Sequence, residues 1–212
     1  MMVTSWPSAA ADVVSVASQP SRVILASASP RRSDLLASIG LAFEVVPSDI
    51  DETEYPDEDP VTYVRRVAIE KAMATAAHDT DIVIAADTTV DVDGMILAKP
   101  LDDDDARRML TLLGGRTHRV HTGVAVRHQG RVASDVATTL VTFGSLDPPL
   151  LEWYIATGEP HGRAGAYAIQ GAAALLVQGV HGSVTNVIGL PLELLDSLLT
   201  EAGVSLLGLL TP

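Results

Sequence analysis

Three places in the chain carry side chains of the kinds that handle phosphate. In Ser27-Ala28-Ser29-Pro30-Arg31-Arg32, hydroxyls and two guanidinium groups stand where a helix begins. A helix N-terminus offers unpaired N–H groups and partial positive charge, and arginine supplies a fork of donors shaped for phosphate oxygens. The same residues also describe an ordinary capped surface helix with two solvated arginines. The pattern is not the Gly-x-x-x-x-Gly-Lys of a P-loop, so that enzyme class is unsupported. The second place is Asp87-Thr88, at the end of the apolar run from Ile82 to Ala86. An acid just past a buried strand is held rigidly where clefts open. There it orients a metal ion or accepts a proton from an attacking water; the plainer reading is a residue that caps a turn. The third place is set by lysine usage. Of 14 basic residues 12 are Arg, and the two exceptions are Lys71 and Lys99. An ammonium is a compact point charge for phosphate or carboxylate, although two residues by themselves do not separate choice from chance.

Other polar clusters carry less. His118 and His121 are three apart on a predicted strand, so they face opposite sides and make a poor metal pair. The run Asp102 to Asp105 opens a helix, where acids complement the macrodipole rather than collect a cation. The segment Asp49 to Asp59 reads as a solvated acidic loop. Gly162 to Gly171 contains Gly-x-x-Gly, too weak a pattern for a dinucleotide site. Ser27 has no sequence-evident His and Asp partners, so a hydrolase triad is unsupported.

The elements that must hold these groups follow from hydrophobic pattern and breakers. A buried strand is expected at Val23 to Ala26 and a helix from Pro30 to Ile39, with Ser29 as N-cap and Gly40 as stop. A strand at Phe43 to Val46 precedes the acidic loop, and a helix runs from Pro60 to about His78. Asp81 to Val90 and Met95 to Ala98 form a hairpin about Asp93-Gly94. After a helix from Asp102 to Leu113 come two long strands, Thr117 to Arg127 and Arg131 to Phe143, joined at Gln129-Gly130. A helix with Trp153 and Tyr154 ends near Gly158. Then follow the glycine-rich loop, a strand at Ala174 to Val177, a loop from His181 to Gly189 and a last helix from Pro191. Helices mixed with hairpins predict an α/β fold around a mixed central β-sheet, not a purely parallel one.

Bulk properties agree. The 212 residues are 47% hydrophobic and 19% charged, a globular composition. A formal net charge of -13 argues against a nucleic-acid partner, while leaving room for a small phosphorylated ligand in a cleft where cations converge. With no Cys there is no thiol catalysis and no disulfide, which is compatible with a cytoplasmic location. Residues 1–21 lack a basic start, and Pro7 and Asp12 interrupt any apolar run. They read as a loosely ordered extension rather than a signal peptide, followed by a single domain over 22–212; no membrane span is expected.

Taken together, the segments resemble the Maf family of nucleotide pyrophosphatases. The resemblance rests on Leu25 to Arg32, Ile50-Asp51-Glu52, Glu70-Lys71-Ala72, Ala86-Asp87-Thr88, Lys99-Pro100, Gly165 to Gly171 and Asn186 to Pro191, in the family's order. It implies a central sheet flanked by helices, with a substrate cleft between two lobes. It also implies a divalent cation (Mg²⁺ or Mn²⁺), hydrolysis of a nucleoside triphosphate at the α-phosphorus, and often a homodimer. By that resemblance Asp87 is the proton acceptor, and Arg31, Thr88 and Gln170 read the base. Ser27, Arg32, Glu52, Lys71 and Lys99 occupy the remaining polar positions of the cleft. With such a cation, Glu52 and Asp87 are its expected holders. Asp-Thr together with Ile-Gln-Gly is similar to the subgroup acting on dTTP and UTP. The alternatives are a pyrophosphatase for modified nucleotides such as 7-methyl-GTP, and a non-catalytic nucleotide-binding regulator of cell division. Thr89 and Val184-Thr185 depart from the family's usual residues without touching a proposed catalytic group.

Overall fold

Val23, Ile24 and Leu25 are all buried and form β1 (Val23–Leu25), a short strand with apolar neighbours on both faces. The computed structural model describes residues 22–210, so the extension expected over residues 1–21 lies outside the described residues. From β1 the chain enters α1 (Pro30–Ser38), then β2 (Glu44–Val45) and, past the acidic loop, α2 (Pro60–Ala74). Next come β3 (Ile82–Val92), β4 (Met95–Leu97), α3 (Asp103–Leu113), β5 (Thr117–His128) and β6 (Arg131–Phe143). The remainder holds α4 (Pro148–Ala156), two 3₁₀ turns (Ala164–Ala166 and Ala172–Leu175), β7 (Val177–His181), α5 (Val184–Ile188), α6 (Leu192–Glu201) and α7 (Leu206–Leu209).

The strands form one sheet in the order β2-β1-β3-β5-β6-β7, with β4 paired to β3. The pairs β1/β2 and β1/β3 are parallel and the others antiparallel, so the sheet is mixed as the pattern predicts. The hairpins turn where expected. Asp93 and Gly94 take φ of 55° and 83°, and Gln129 and Gly130 take 49° and 70°, the left-handed pair that a two-residue hairpin needs.

Side-chain alternation along β3 divides the molecule. On one face, Ile82, Ile84 and Ala86 join a core with α1 and α6, while Val90 and Val92 join a second core with α3 and α4. Thr88 falls between the two on that same face, because residues two apart point the same way. On β5 the pattern repeats: Val124 and Val126 lie in the first core, Val120 in the second, and Thr122 between them. Thr88 and Thr122 are direct cross-strand partners, so the two cores meet at a polar seam. On the opposite face, Val83 and Ala85 pack with Ala68 and Ala72 of α2, and Asp87 is next in that series. The two expected lobes are thus two apolar clusters sharing long strands.

The sequence pattern leaves α7 unforeseen beyond the helix expected last, and it errs in three further elements. Helix α2 stops at Ala74, where the Thr75 hydroxyl and N–H both donate to the Lys71 carbonyl and close its last turn. The strand expected at 174–177 begins only at Val177, because the Glu159 carboxylate accepts the N–H groups of Ala172 and Ala173 and starts a 3₁₀ turn. The loop expected at 181–189 contains α5, capped by the Ser183 hydroxyl accepting the Asn186 N–H at 3.2 Å.

Candidate active site

One edge of β3 is interrupted. Its pairing with β1 ends at Ile84 opposite Leu25, and its pairing with β4 begins at Val90 opposite Leu97. Between those points β5 still covers the other edge, while the free edge opens on a cavity of about 550 Å³. Asp87, Thr88 and Thr89 line it. Because the opening runs past the strand edge, side chains from both faces of the sheet reach it. Every site residue expected from the sequence borders this space: Ser27, Arg31, Arg32, Glu52, Lys71, Asp87, Thr88, Lys99 and Gln170.

On the α2 face an acid–lysine cluster stands at the centre. Lys71, 6% exposed, donates from Nζ to Asp87 Oδ1 at 2.8 Å and lies 2.9 Å from Glu52 Oε1. The close approach of α2 to the sheet makes this bridge possible. A Cβ at Gly123, the strand partner of Asp87, would overlap the Val64 carbonyl oxygen, so only glycine lets the helix lie this near. Lys71 follows Val64 by two helical turns on the same side. The helix is set at its start by the Asp59 carboxylate, which accepts the N–H groups of Val61 and Thr62. Tyr63 donates its hydroxyl to the Glu52 carbonyl at 3.0 Å, tying the acidic loop to α2. Burial, then the charges of Asp87 and Glu52, pushes the Tyr63 hydroxyl well above its ordinary range, so it stays a neutral donor.

On the other face Arg32 fills the polar seam. It is 9% exposed and donates from Nε to the Gly189 carbonyl at 2.8 Å, from Nη1 to Ser27 Oγ at 2.9 Å and from Nη2 to Thr88 Oγ1 at 3.1 Å. Behind it, Thr88 Oγ1 lies 2.9 Å from Thr122 Oγ1, and Thr122 donates to the Asn186 carbonyl at 3.0 Å. Asn186 Nδ2 in turn donates to the Val120 carbonyl and to Thr139 Oγ1. Burial pushes the Arg32 guanidinium down from its usual range, and the charge of Asp87 opposes this. Ser29 holds the N-cap position of α1 by its backbone alone; its N–H donates to Ser27 Oγ at 3.2 Å. The expected Ser29 side-chain cap is absent.

The remaining wall is uncommitted. Among the described residues, Arg31, Lys99 and Gln170 make no side-chain hydrogen bond or ion pair. Half-burial, then repulsion from Arg163, lowers the Arg31 guanidinium from its usual range. Arg163 also lines the cavity, with Nη1 donating to the Glu159 and His161 carbonyls and a buried Nε that has no partner. Sequence reasoning missed Arg163 and Tyr63. An arginine inside the otherwise uncharged run Gly162 to Gly171 is the one signal that points to the former; nothing local distinguishes Tyr63 from a surface tyrosine. His118 and His121 do face apart: the first meets Tyr167 Oη at 2.8 Å, the second Thr138 Oγ1 at 2.8 Å and Asp91 Oδ2 at 3.3 Å.

Five cations and two carboxylates border the cavity, the reverse of the chain's overall balance. Asp87 and Glu52 each spend one oxygen on Lys71 and keep the other. That donor set fits a hard divalent cation held by one or two carboxylates and otherwise by water and ligand phosphates. Among the described residues there is no group of three or more His, Asp or Glu that would cage a metal on its own.

Comparison with known proteins places the chain among relatives. A family model described as "Maf-like protein" matches residues 22–202. A dTTP/UTP pyrophosphatase of Anaeromyxobacter dehalogenans is 50% identical over 186 residues, 86% of this chain and 94% of the relative. One from Moorella thermoacetica is 50% identical over 191 residues, 89% of this chain and 98% of the relative. Among solved structures, a HAM1 protein from Coxiella burnetii superposes with a TM-score of 0.50 at 16% identity, covering 86% of this chain and all of that one; this likeness concerns the fold alone.

Proposed function

The chain belongs to the Maf family, and from that premise we propose that it hydrolyses dTTP and UTP to the nucleoside monophosphate and pyrophosphate. The observation that carries the reading is the gap in β3, which gathers Asp87, Lys71 and Glu52 on one side and the uncommitted Arg31, Lys99 and Gln170 on the other.

In this reading Arg31, Lys99 and Arg163 hold the phosphate chain, whose charge must be neutralised for in-line attack. Asp87 accepts a proton from the attacking water. The water oxygen bonds to the α-phosphorus, the bond from that phosphorus to the bridging oxygen of the β-phosphate breaks, and pyrophosphate leaves with the electron pair. Lys71 fixes the Asp87 carboxylate at the strand edge. Glu52 and Asp87 would hold the divalent cation, which supplies charge neutralisation on the phosphate oxygens. In this reading Thr88 and the Gln170 amide, which offers both a donor and an acceptor, meet the imide edge of uracil or thymine, while Arg31, set at the base by the resemblance, serves the phosphates. A cytoplasmic homodimer without nucleic-acid partners belongs to the same reading and rests on the family resemblance and the acidic charge. Among the described residues no helix is long and apolar enough to cross a membrane.

Pyrophosphate release from dTTP, UTP, CTP, 7-methyl-GTP and ITP, with Mg²⁺ or Mn²⁺ and with a chelator, tests the proposal. Metal-dependent turnover led by dTTP and UTP is expected. Turnover led by 7-methyl-GTP keeps the chemistry and discards the base assignment, and folded protein that cleaves none of the five sinks the enzyme reading.

A further inference from the structure

Thr122 sits wholly buried on β5 and is not part of the cavity wall, yet its hydroxyl governs one that is. A threonine hydroxyl has one proton and two lone pairs, so the direction of each bond in a chain of hydroxyls can be counted. The two ends of this chain leave no choice. At one end stands Arg32, which only donates, with Nη2 3.1 Å from Thr88 Oγ1. At the other stands the Asn186 backbone carbonyl, which only accepts and lies 3.0 Å from Thr122 Oγ1. Asn186 is fully buried, and among the described residues the Thr122 hydroxyl is the donor that reaches this carbonyl. Leaving it unmet would cost the desolvation of a buried carbonyl. The Thr122 proton is therefore spent on Asn186. Thr122 Oγ1 must then accept across the 2.9 Å to Thr88 Oγ1, which spends the Thr88 proton. The competing acceptor for that proton, the Gly189 carbonyl, is 3.5 Å away and already takes Arg32 Nε at 2.8 Å. With one lone pair filled by Arg32, Thr88 keeps a single lone pair and no proton for anything in the cavity.

We infer that Thr122 is a specificity-determining positioning residue, fixing the Thr88 hydroxyl as an acceptor and so selecting a pyrimidine with a ring N–H over one with a bare ring nitrogen. The inference rests on the pyrimidine reading above. Uracil and thymine carry a hydrogen at N3, whereas cytosine presents a lone pair there, which would face the lone pair of Thr88. A mispaired polar group in a site built for hydrogen bonding is rejected far more strongly than a small change in apolar size.

The experiment compares kcat/KM for CTP and UTP in the parent, Thr122→Val and Thr122→Ser, with UTP methylated at N3 as a further substrate for the parent. Thr122→Val keeps the branched shape but frees the Thr88 proton, so the CTP/UTP ratio should rise about tenfold or more, mainly through KM. Thr122→Ser keeps the hydroxyl chain and should keep the parent ratio. N3-methyl-UTP should be cleaved at least about tenfold less efficiently than UTP by the parent, an arm that needs no variant to fold. A folded Thr122→Val with the parent ratio overturns the inference, as does a Thr122→Ser that shifts the ratio equally or a parent that cleaves N3-methyl-UTP as well as UTP. A parent that leaves UTP intact sinks the pyrimidine reading first and this inference with it.

Discussion

Arg31 and Arg32 are adjacent in sequence and belong to opposite kinds of wall. Around Arg32 every guanidinium nitrogen is matched, to Gly189, Ser27 and Thr88, with Thr88 keeping one lone pair toward the cavity. Around Arg31 the wall is unspent: among the described residues Lys99 and Gln170 share its lack of side-chain hydrogen bonds, and Arg163 adds a like charge that repels it. A group whose hydrogen bonds are satisfied within the protein stabilises the frame, and it gains little from a ligand. A group held near like charge without a partner gains when an anion arrives. The cavity is therefore half scaffold and half receptor.

Four measurements would break or sharpen that division. The largest effect should come from Asp87, which stands between the walls. Asp87→Asn should lower pyrophosphate release about 10²–10⁴-fold. Lys71 keeps Glu52 as a partner, so the urea midpoint should hardly move. Near-parent turnover would take Asp87 out of the proton transfer.

The next effect concerns the second core, which backs the open wall. Burial holds His118 at about 4 instead of 6.5, partly opposed by the charge of Asp91. The unfolded chain takes up this proton below 6.5 and the folded chain only near 4. The associated stability is thus complete above pH 6.5 and is lost as pH falls toward 4, about 3 kcal/mol in all. Urea unfolding at pH 7 and pH 4.5 should reveal it, and His118→Gln should shrink that difference by about 2 kcal/mol. An unchanged difference would mean that the ring charges freely in the folded state.

The two arginines then test the comparison directly. Arg32→Lys removes the fork that meets three acceptors and should cost about 2–3 kcal/mol in urea denaturation. Arg31→Lys should leave unfolding unchanged and raise the KM for UTP about tenfold. Equal stability losses in the two variants would erase the distinction between scaffold and receptor.

Much of this was legible in the residues. Strand β1, helix α1 with Pro30 at its start, the hairpins at Asp93-Gly94 and Gln129-Gly130 and the long strands β5 and β6 follow from short-range pattern and turn chemistry. The errors at the glycine-rich loop and at α5 arose where a distant group intervened, whereas α2 stops at a contact between residues four apart. Glu159 caps the 3₁₀ turn at Ala172 across the glycine-rich loop, and α5 is held in the seam by Asn186 reaching Val120 and Thr139. No local window contains those partners.

The sequence by itself determined most of the residue types that handle phosphate and which strand, helix or loop carries each, because periodicity and breakers act over a few residues. It also placed Asp87 and Thr88 on opposite faces of one strand, since side chains alternate along extended backbone. Only the tertiary structure decided which of two neighbouring arginines is spent, that Lys71 joins Glu52 to Asp87, and that a buried threonine on β5 orders the hydroxyl of Thr88. Those are matters of hydrogen-bond accounting between groups far apart in the chain, and each donor's freedom depends on what the fold sets beside it.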